Sequence, residues 1–162
     1  MVKLESLNKG VSLVEVIIAT TIVLGMVLAL LGVHTLYIKI GLSTGNTVKA
    51  TYLAEEGLEA LRFLRDDSWV DNIEPLLVDT PYGVALSGNS WEVDSALTWV
   101  GYFERTVTLS DVYRDVNGDI VTSGGTLDPD ARLVTATVAW PTGAATTTKT
   151  ISTYLTNLRN NN

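Results

Sequence analysis

Lys9-Gly10-Val11-Ser12-Leu13-Val14-Glu15-Val16 opens the stretch that decides the fold, because the apolar run it starts carries no Asp, Glu, Lys or Arg from Val16 to Ile38. At about 1.5 Å per helical residue, that run covers about 30 Å or more, enough for the hydrocarbon core of a bilayer. The pattern predicts one membrane-spanning helix near the N-terminus. Lys3 and Lys9 precede it and few charges lie just beyond it, so the positive-inside tendency holds the N-terminus in the cytoplasm and exports the bulk of the chain. A cleaved secretory signal also places basic residues before an apolar core. Against that reading, the run is long, Glu15 sits inside its start, and no small-x-small cleavage site follows around His34 to Lys39.

Glu15 needs its own explanation. A carboxylate costs about 2.5–3.5 kcal/mol at the centre of a membrane helix and less near an end, so such residues mark a function or have a partner. Ser12 and Ala19 share its helical face, and neither can neutralise it. The partner is therefore expected from another chain. Further along, Gly25, Ala29 and Gly32 fall at i, i+4 and i+7, a strip of small residues that lets a second helix approach closely in lipid.

Gly10 followed by Val11, Ser12, Leu13, Val14, Glu15 and Val16 resembles the class III signal of type IV pilins and type II secretion pseudopilins. The resemblance implies cleavage between Gly10 and Val11 by a prepilin peptidase that also N-methylates Val11, which stands where phenylalanine is usual. It implies that Glu15 is the assembly carboxylate, meeting the methylated N-terminus of a neighbouring subunit. The stretch Tyr52-Leu-Ala-Glu-Glu-Gly-Leu-Glu-Ala-Leu-Arg62 and the ending Thr153-Tyr-Leu-Thr-Asn157 are similar to segments of minor pilins of the pilus-modification type. The implied partners are the peptidase/methyltransferase, other pilin subunits, a membrane assembly platform and the lipid bilayer. The implied location is the inner membrane before assembly, with the C-terminal part extracytoplasmic, and a surface or periplasmic filament afterwards. The competing expectation is an unprocessed single-pass anchor carrying an extracytoplasmic binding module.

At 162 residues the chain has room for one modest domain beyond the membrane helix. From Gly41 onward there are sixteen Asp and Glu against eight Lys and Arg, so no nucleic-acid contact is expected. There is no cysteine, hence no disulfide and no thiol chemistry, and the single histidine, His34, falls in the apolar run. Metal sites built from Cys and His are thereby excluded. No nucleophile with a base and no phosphate loop can be nominated, so the expectation is a non-enzyme without a cofactor.

Residues 1–10 read as a leader and 11–40 as the membrane and assembly half of a long helix. Between Gly41 and Thr47 good helix formers are scarce, and the helix is expected to loosen there. Residues 41–66 then form its amphipathic half: Ala50, Leu53, Ala54, Gly57, Leu58, Leu61 and Leu64 keep helical spacing, with Glu55, Glu56 and Glu59 on solvated faces. Glu59 with Arg62, and Arg62 with Asp66, are spaced to pair. The remainder, 67–162, reads as a β-rich domain.

Pro75 and Pro81 mark an irregular connection anchored by Trp69. Strands are expected at Trp91, Val93 and Ser95; at Phe103 to Tyr113, where Arg105 breaks the alternation; at Leu133 to Trp140; and at Ala144 to Leu155, after a turn at Pro141-Thr142-Gly143. Trp91, Trp99 and Trp140 read as core and sheet residues. Asn117-Gly118 predicts a type I′ hairpin, and Asp128-Pro129-Asp130 predicts another turn. Asn160-Asn161-Asn162 reads as a frayed end. Asp115, Asn117 and Asp119 alternate as in a calcium loop, but Ile120 replaces the required glycine and no glutamate closes the loop. They stand as a weak calcium candidate beside the hairpin reading. The resulting fold class is α+β and pilin-like: a long N-terminal helix, its second half packed on an antiparallel sheet.

Overall fold

A computed structural model describes residues 10–94, 96 and 98–158. The leader Met1–Lys9, Ser95 and the terminal asparagines lie outside the described residues. The architecture is α+β: a long apolar N-terminal helix and an antiparallel sheet. The chain divides into two units between Gly45 and Asn46.

Helix α1 runs Leu13–Asp67. The loosening expected at Gly41 to Thr47 is absent, and every residue of that stretch is helical. Each glycine costs about 1 kcal/mol against alanine, but extending an existing helix adds one hydrogen bond per residue without a new nucleation cost. Throughout the first unit, the described residues are exposed.

In the second unit α1 buries Ala50, Ala54, Gly57, Leu58, Ala60, Leu61 and Leu64, the stripe read from its periodicity with Ala60 added and Leu53 half-buried. Each fully buried leucine contributes about 1.5–3 kcal/mol. Arg62 pairs with Glu59 as its spacing requires, whereas Asp66 takes Arg65 instead. The short helix α2, Trp69–Asn72, is capped by Ser68, whose hydroxyl accepts from the Asp71 N–H at 3.2 Å. Trp69 is buried, as expected.

The strands are β1 Pro81–Ser87, β2 Ser90–Asp94, β3 Thr98–Val100, β4 Phe103–Arg114, β5 Ile120–Val121, β6 Thr126–Thr142 and β7 Ala145–Thr156. The sheet order is β2-β1-β4-β6-β7, and β3 and β5 also pair with β4. One edge of β4 carries β6 while the other is shared in turn by β3 and β1. Strand β1 lies where only an irregular connection was expected, because Tyr82-Gly83-Val84 are buried in succession and show no alternation.

In β6, Val134, Ala136, Val138 and Trp140 face the core and alternate with half-buried Leu133, Thr135 and Thr137. On the outer face, threonine and serine hydroxyls join β6 to β7 at Thr135 with Ser152 (3.0 Å) and Thr137 with Thr150 (3.4 Å).

Arg105 does not break the alternation of β4. It occupies an inward position between buried Phe103 and Val107 and is 2% exposed. Its guanidinium donates to the Val84 carbonyl at 2.7 Å and the Leu53 carbonyl at 3.4 Å, and it pairs with Glu56 at 3.1 Å. Glu56 is therefore more than a solvated charge.

Trp99, read as core, is 59% exposed on short β3. Asp128-Pro129-Asp130 is not a turn. These residues lie inside β6, where the register against β4 jumps from Asp111↔Arg132 to Val112↔Asp128. Pro129 has no N–H to donate, so it is tolerated where the ladder is broken.

The Asn117-Gly118 hairpin forms, but with a five-residue loop. Gly118 N–H donates to the Asp115 carbonyl at 3.1 Å and Asp115 N–H to the Asp119 carbonyl at 2.9 Å. Gly118 has φ 87°, whereas among the described residues Asp79 is the one non-glycine with positive φ, so Asn117 cannot be a central residue of a type I′ turn. The two-residue connections lie elsewhere: Ser87 pairs with Ser90, Val100 with Phe103 and Thr142 with Ala145, and Gly88, Gly101 and Gly143, with φ 64°, 65° and 65°, take the first central positions.

A Cβ on Gly57 would stand 3.4 Å from Arg105 Cδ and Val107 Cγ1 and 3.8 Å from Ala136 Cβ. Gly57→Leu is expected to destabilise by about 1–3 kcal/mol through overpacking. Gly57→Ala should be neutral or stabilising by up to about 1 kcal/mol, since its Cβ meets ordinary van der Waals contacts and alanine has the better helix propensity. Thermal melting of the two variants checks the contrast.

Candidate functional site

The N-terminal segment is the part of the chain whose side chains have least to do with its own core. Ser12 opens α1: its carbonyl accepts from Glu15 N–H at 3.0 Å and Val16 N–H at 3.2 Å. Glu15 thus sits in the first helical turn, where the positive end of the helix dipole favours a carboxylate by about 0.3–1 kcal/mol. The Ser12-x-x-Glu15 spacing is also that of a capping box, a signal not drawn from the sequence. Glu15 is exposed, and among the described residues no basic side chain pairs with its carboxylate. Gly10 and Val11 precede the helix and are exposed, so the peptide bond between them lies in non-helical chain.

Beyond Glu15 the helix has the length and composition to cross a membrane, and none of its most apolar window is buried. Its threonine hydroxyls bond within the helix. Thr20 Oγ donates to the Val16 carbonyl (2.9 Å), Thr21 Oγ to Ile17 (3.0 Å) and Thr35 Oγ to Leu31 (2.9 Å), so these hydroxyls need no partner outside the helix. Gly25, Ala29 and Gly32 share a face, and nothing lies within 4 Å of a Cβ built on either glycine.

The calcium candidate is arranged as a turn. Asp115 Oδ1 accepts from the backbone N–H groups of Asn117 and Asp119, each at 2.9 Å, and Oδ2 from Asn117 Nδ2 at 3.2 Å. Arg114 donates to Asp128 at 2.6 Å and to the Gly118 carbonyl at 2.8 Å, so a guanidinium bridges the loop and the Asp128 carboxylate. Among the described residues no three His, Cys, Asp or Glu side chains converge.

The Asp119 and then the Asn117 backbone N–H groups hold the Asp115 carboxyl below its ordinary value. A lowered pKa stabilises the turn fully above the ordinary carboxylate range, and the contribution is lost as pH falls through the lowered value. The protection of the Asn117 and Asp119 amides, measured against the intrinsic exchange rate at each pH, should therefore fall in acid, and Asp115→Ala should remove that change in protection.

The sequence reading missed the Arg105–Glu56 pair. The available signal was an inward-phase arginine in a strand facing a helix with surplus glutamates. The chain matches no protein-family model, no curated protein and no solved structure.

Proposed function

We propose that the chain is a structural subunit, pilin-like and of the minor type, of a type IV pilus or type II secretion filament. The observation that carries this reading is a membrane-length helix exposed along its part of the first unit, with a carboxylate in its first turn that has no basic partner among the described residues. Apolar surface of that extent has to be covered by lipid, by sister helices, or by each in turn. The precursor is held by its helix in the inner membrane with the C-terminal domain extracytoplasmic. It is cut between Gly10 and Val11, Val11 is methylated, and an assembly platform moves the subunit into a bundle of like helices. There Glu15 meets the N-terminal amine of a neighbour, and Gly25, Ala29 and Gly32 admit close helix approach.

Intact mass of the protein extracted from membranes tests this reading. The expected species lacks residues 1–10 and carries one added methyl group. A mass retaining Met1 to Gly10 would instead support the unprocessed anchor with a binding module.

A further inference from the structure

The β3–β4 hairpin tip and the facing turns of α1 form an amphipathic corner within the second unit. Val100 pairs with Phe103, and Gly101, with φ 65°, makes the two-residue turn possible. Tyr102 stacks on Phe103 with ring centroids 4.4 Å apart and donates its hydroxyl to Asn46 Oδ1. Lys49, Tyr52 and Leu53 of α1 complete an open apolar groove of about 410 Å³. Around it Tyr52 is 67% exposed, Tyr102 45% and Val100 38%. Lys49 is exposed and, among the described residues, forms no salt bridge.

We propose that this corner docks on the headgroup layer of an anionic bilayer, the exposed tyrosines lying among the glycerol groups and Lys49 on a lipid phosphate. The proposal rests on the membrane reading above and adds a second contact to it. Three observations select this occupant. Tyrosine rings with wet hydroxyls are the side chains that membrane interfaces enrich, and a lysine among them suits anionic lipid. The outer part of the chain, with sixteen acidic against eight basic residues from Gly41 onward, would otherwise be repelled by such a surface, so a basic, aromatic corner is where approach is allowed. Chain connectivity supplies the third: Asn46 follows Ile38, the last residue of the apolar run, by eight residues, and eight residues reach at most about 29 Å. The partner of the Tyr102 hydroxyl is thus tethered within that reach of the apolar run. The far end of β4 is about 36 Å away along the strand, near fully exposed Val116.

The native chain has no cysteine, so the full-length protein takes single spin labels cleanly at Leu28→Cys, Val100→Cys and Val116→Cys. In vesicles of phosphatidylethanolamine and phosphatidylglycerol, collision with oxygen and with a water-soluble nickel chelate should place the Leu28 label deep in lipid. The Val100 label should lie in the headgroup layer and the Val116 label in water. Lys49→Glu, or pure phosphatidylcholine vesicles, should raise nickel collisions at Val100 by about threefold or more and leave Leu28 unchanged. A Val100 label as wet as Val116, with Leu28 still in lipid, overturns the docking corner and leaves the anchor standing. A wet Leu28 label overturns the membrane reading and the corner with it. Protection at Val100 that rises with protein concentration at fixed lipid assigns the corner to a second copy of the chain and overturns the lipid assignment.

Discussion

Glu15→Ala and Glu15→Gln should both be processed normally and both fail to enter filaments, incorporation falling at least about tenfold, which is 1.4 kcal/mol or more of lost assembly free energy. Two unit charges 4 Å apart interact by about 4 kcal/mol at an effective dielectric of 20, so losing the carboxylate's charge is ample to produce that effect. The same substitutions should make the isolated helix easier to hold in lipid, because the cost of an unpaired carboxylate disappears. Assembly and membrane retention are thus expected to move in opposite directions. Glutamine separates the two roles open to Glu15. Like glutamate it has a side chain suited to a capping box on Ser12, but it carries no charge. Filaments of normal abundance from Glu15→Gln, with Glu15→Ala defective, would reduce Glu15 to a helix cap. Counting variant subunits in sheared or secreted filaments, against processed subunits left in the membrane, reads both quantities.

The second large effect is expected at Glu56. Its side chain is 48% exposed, and on that ground alone its loss should matter little, as for ordinary surface pairs. The arginine side chain it neutralises, however, is 3% exposed and donates to the Leu53 and Val84 carbonyls from inside the core. Glu56→Ala leaves that charge buried without a counter-ion, a change that costs about 3 kcal/mol and lowers the melting temperature by about 10 °C. Neighbouring Glu55→Ala, also exposed, should stay within about 0.5 kcal/mol of the parent. Arg105→Met in the Glu56→Ala background should recover most of the loss, since an apolar chain of similar length removes the orphaned charge and the buried Nε that has no hydrogen-bond partner. Near-UV circular dichroism of buried Trp69 and Trp140 during melting follows the second unit directly. If Glu56→Ala melts like Glu55→Ala, the pair has no structural role.

Legibility followed the range of the interaction. The membrane-length run, the helical stripe from Ala50 to Leu64 and the alternation from Leu133 to Trp140 were readable because each repeats a period set by backbone geometry within a few residues. The unpaired state of Glu15 within its own helix was readable for the same reason, since only positions one turn away can reach it.

Strand β1 was not legible: Tyr82, Gly83 and Val84 are buried in succession, so the strand shows no alternation, and Pro81 at its start has the residue chemistry of a break in regular structure. Arg105 was misjudged because an inward arginine is acceptable only where a distant carboxylate and two carbonyls happen to meet it, and Glu56 lies forty-nine residues earlier in the chain. Asp128-Pro129-Asp130 has the residue chemistry of a turn, and Asn117-Gly118 that of a two-residue hairpin. Pairing of Asp128 with Val112 of β4, and the Asn157 N–H donated to the Asp130 carbonyl, kept the first inside a strand, while the Asp115 carboxylate, by gathering two backbone N–H groups, set the second as a wider loop. Local periodicity establishes which faces must be covered; which partner covers them depends on contacts between residues far apart along the chain, and those have no period to read.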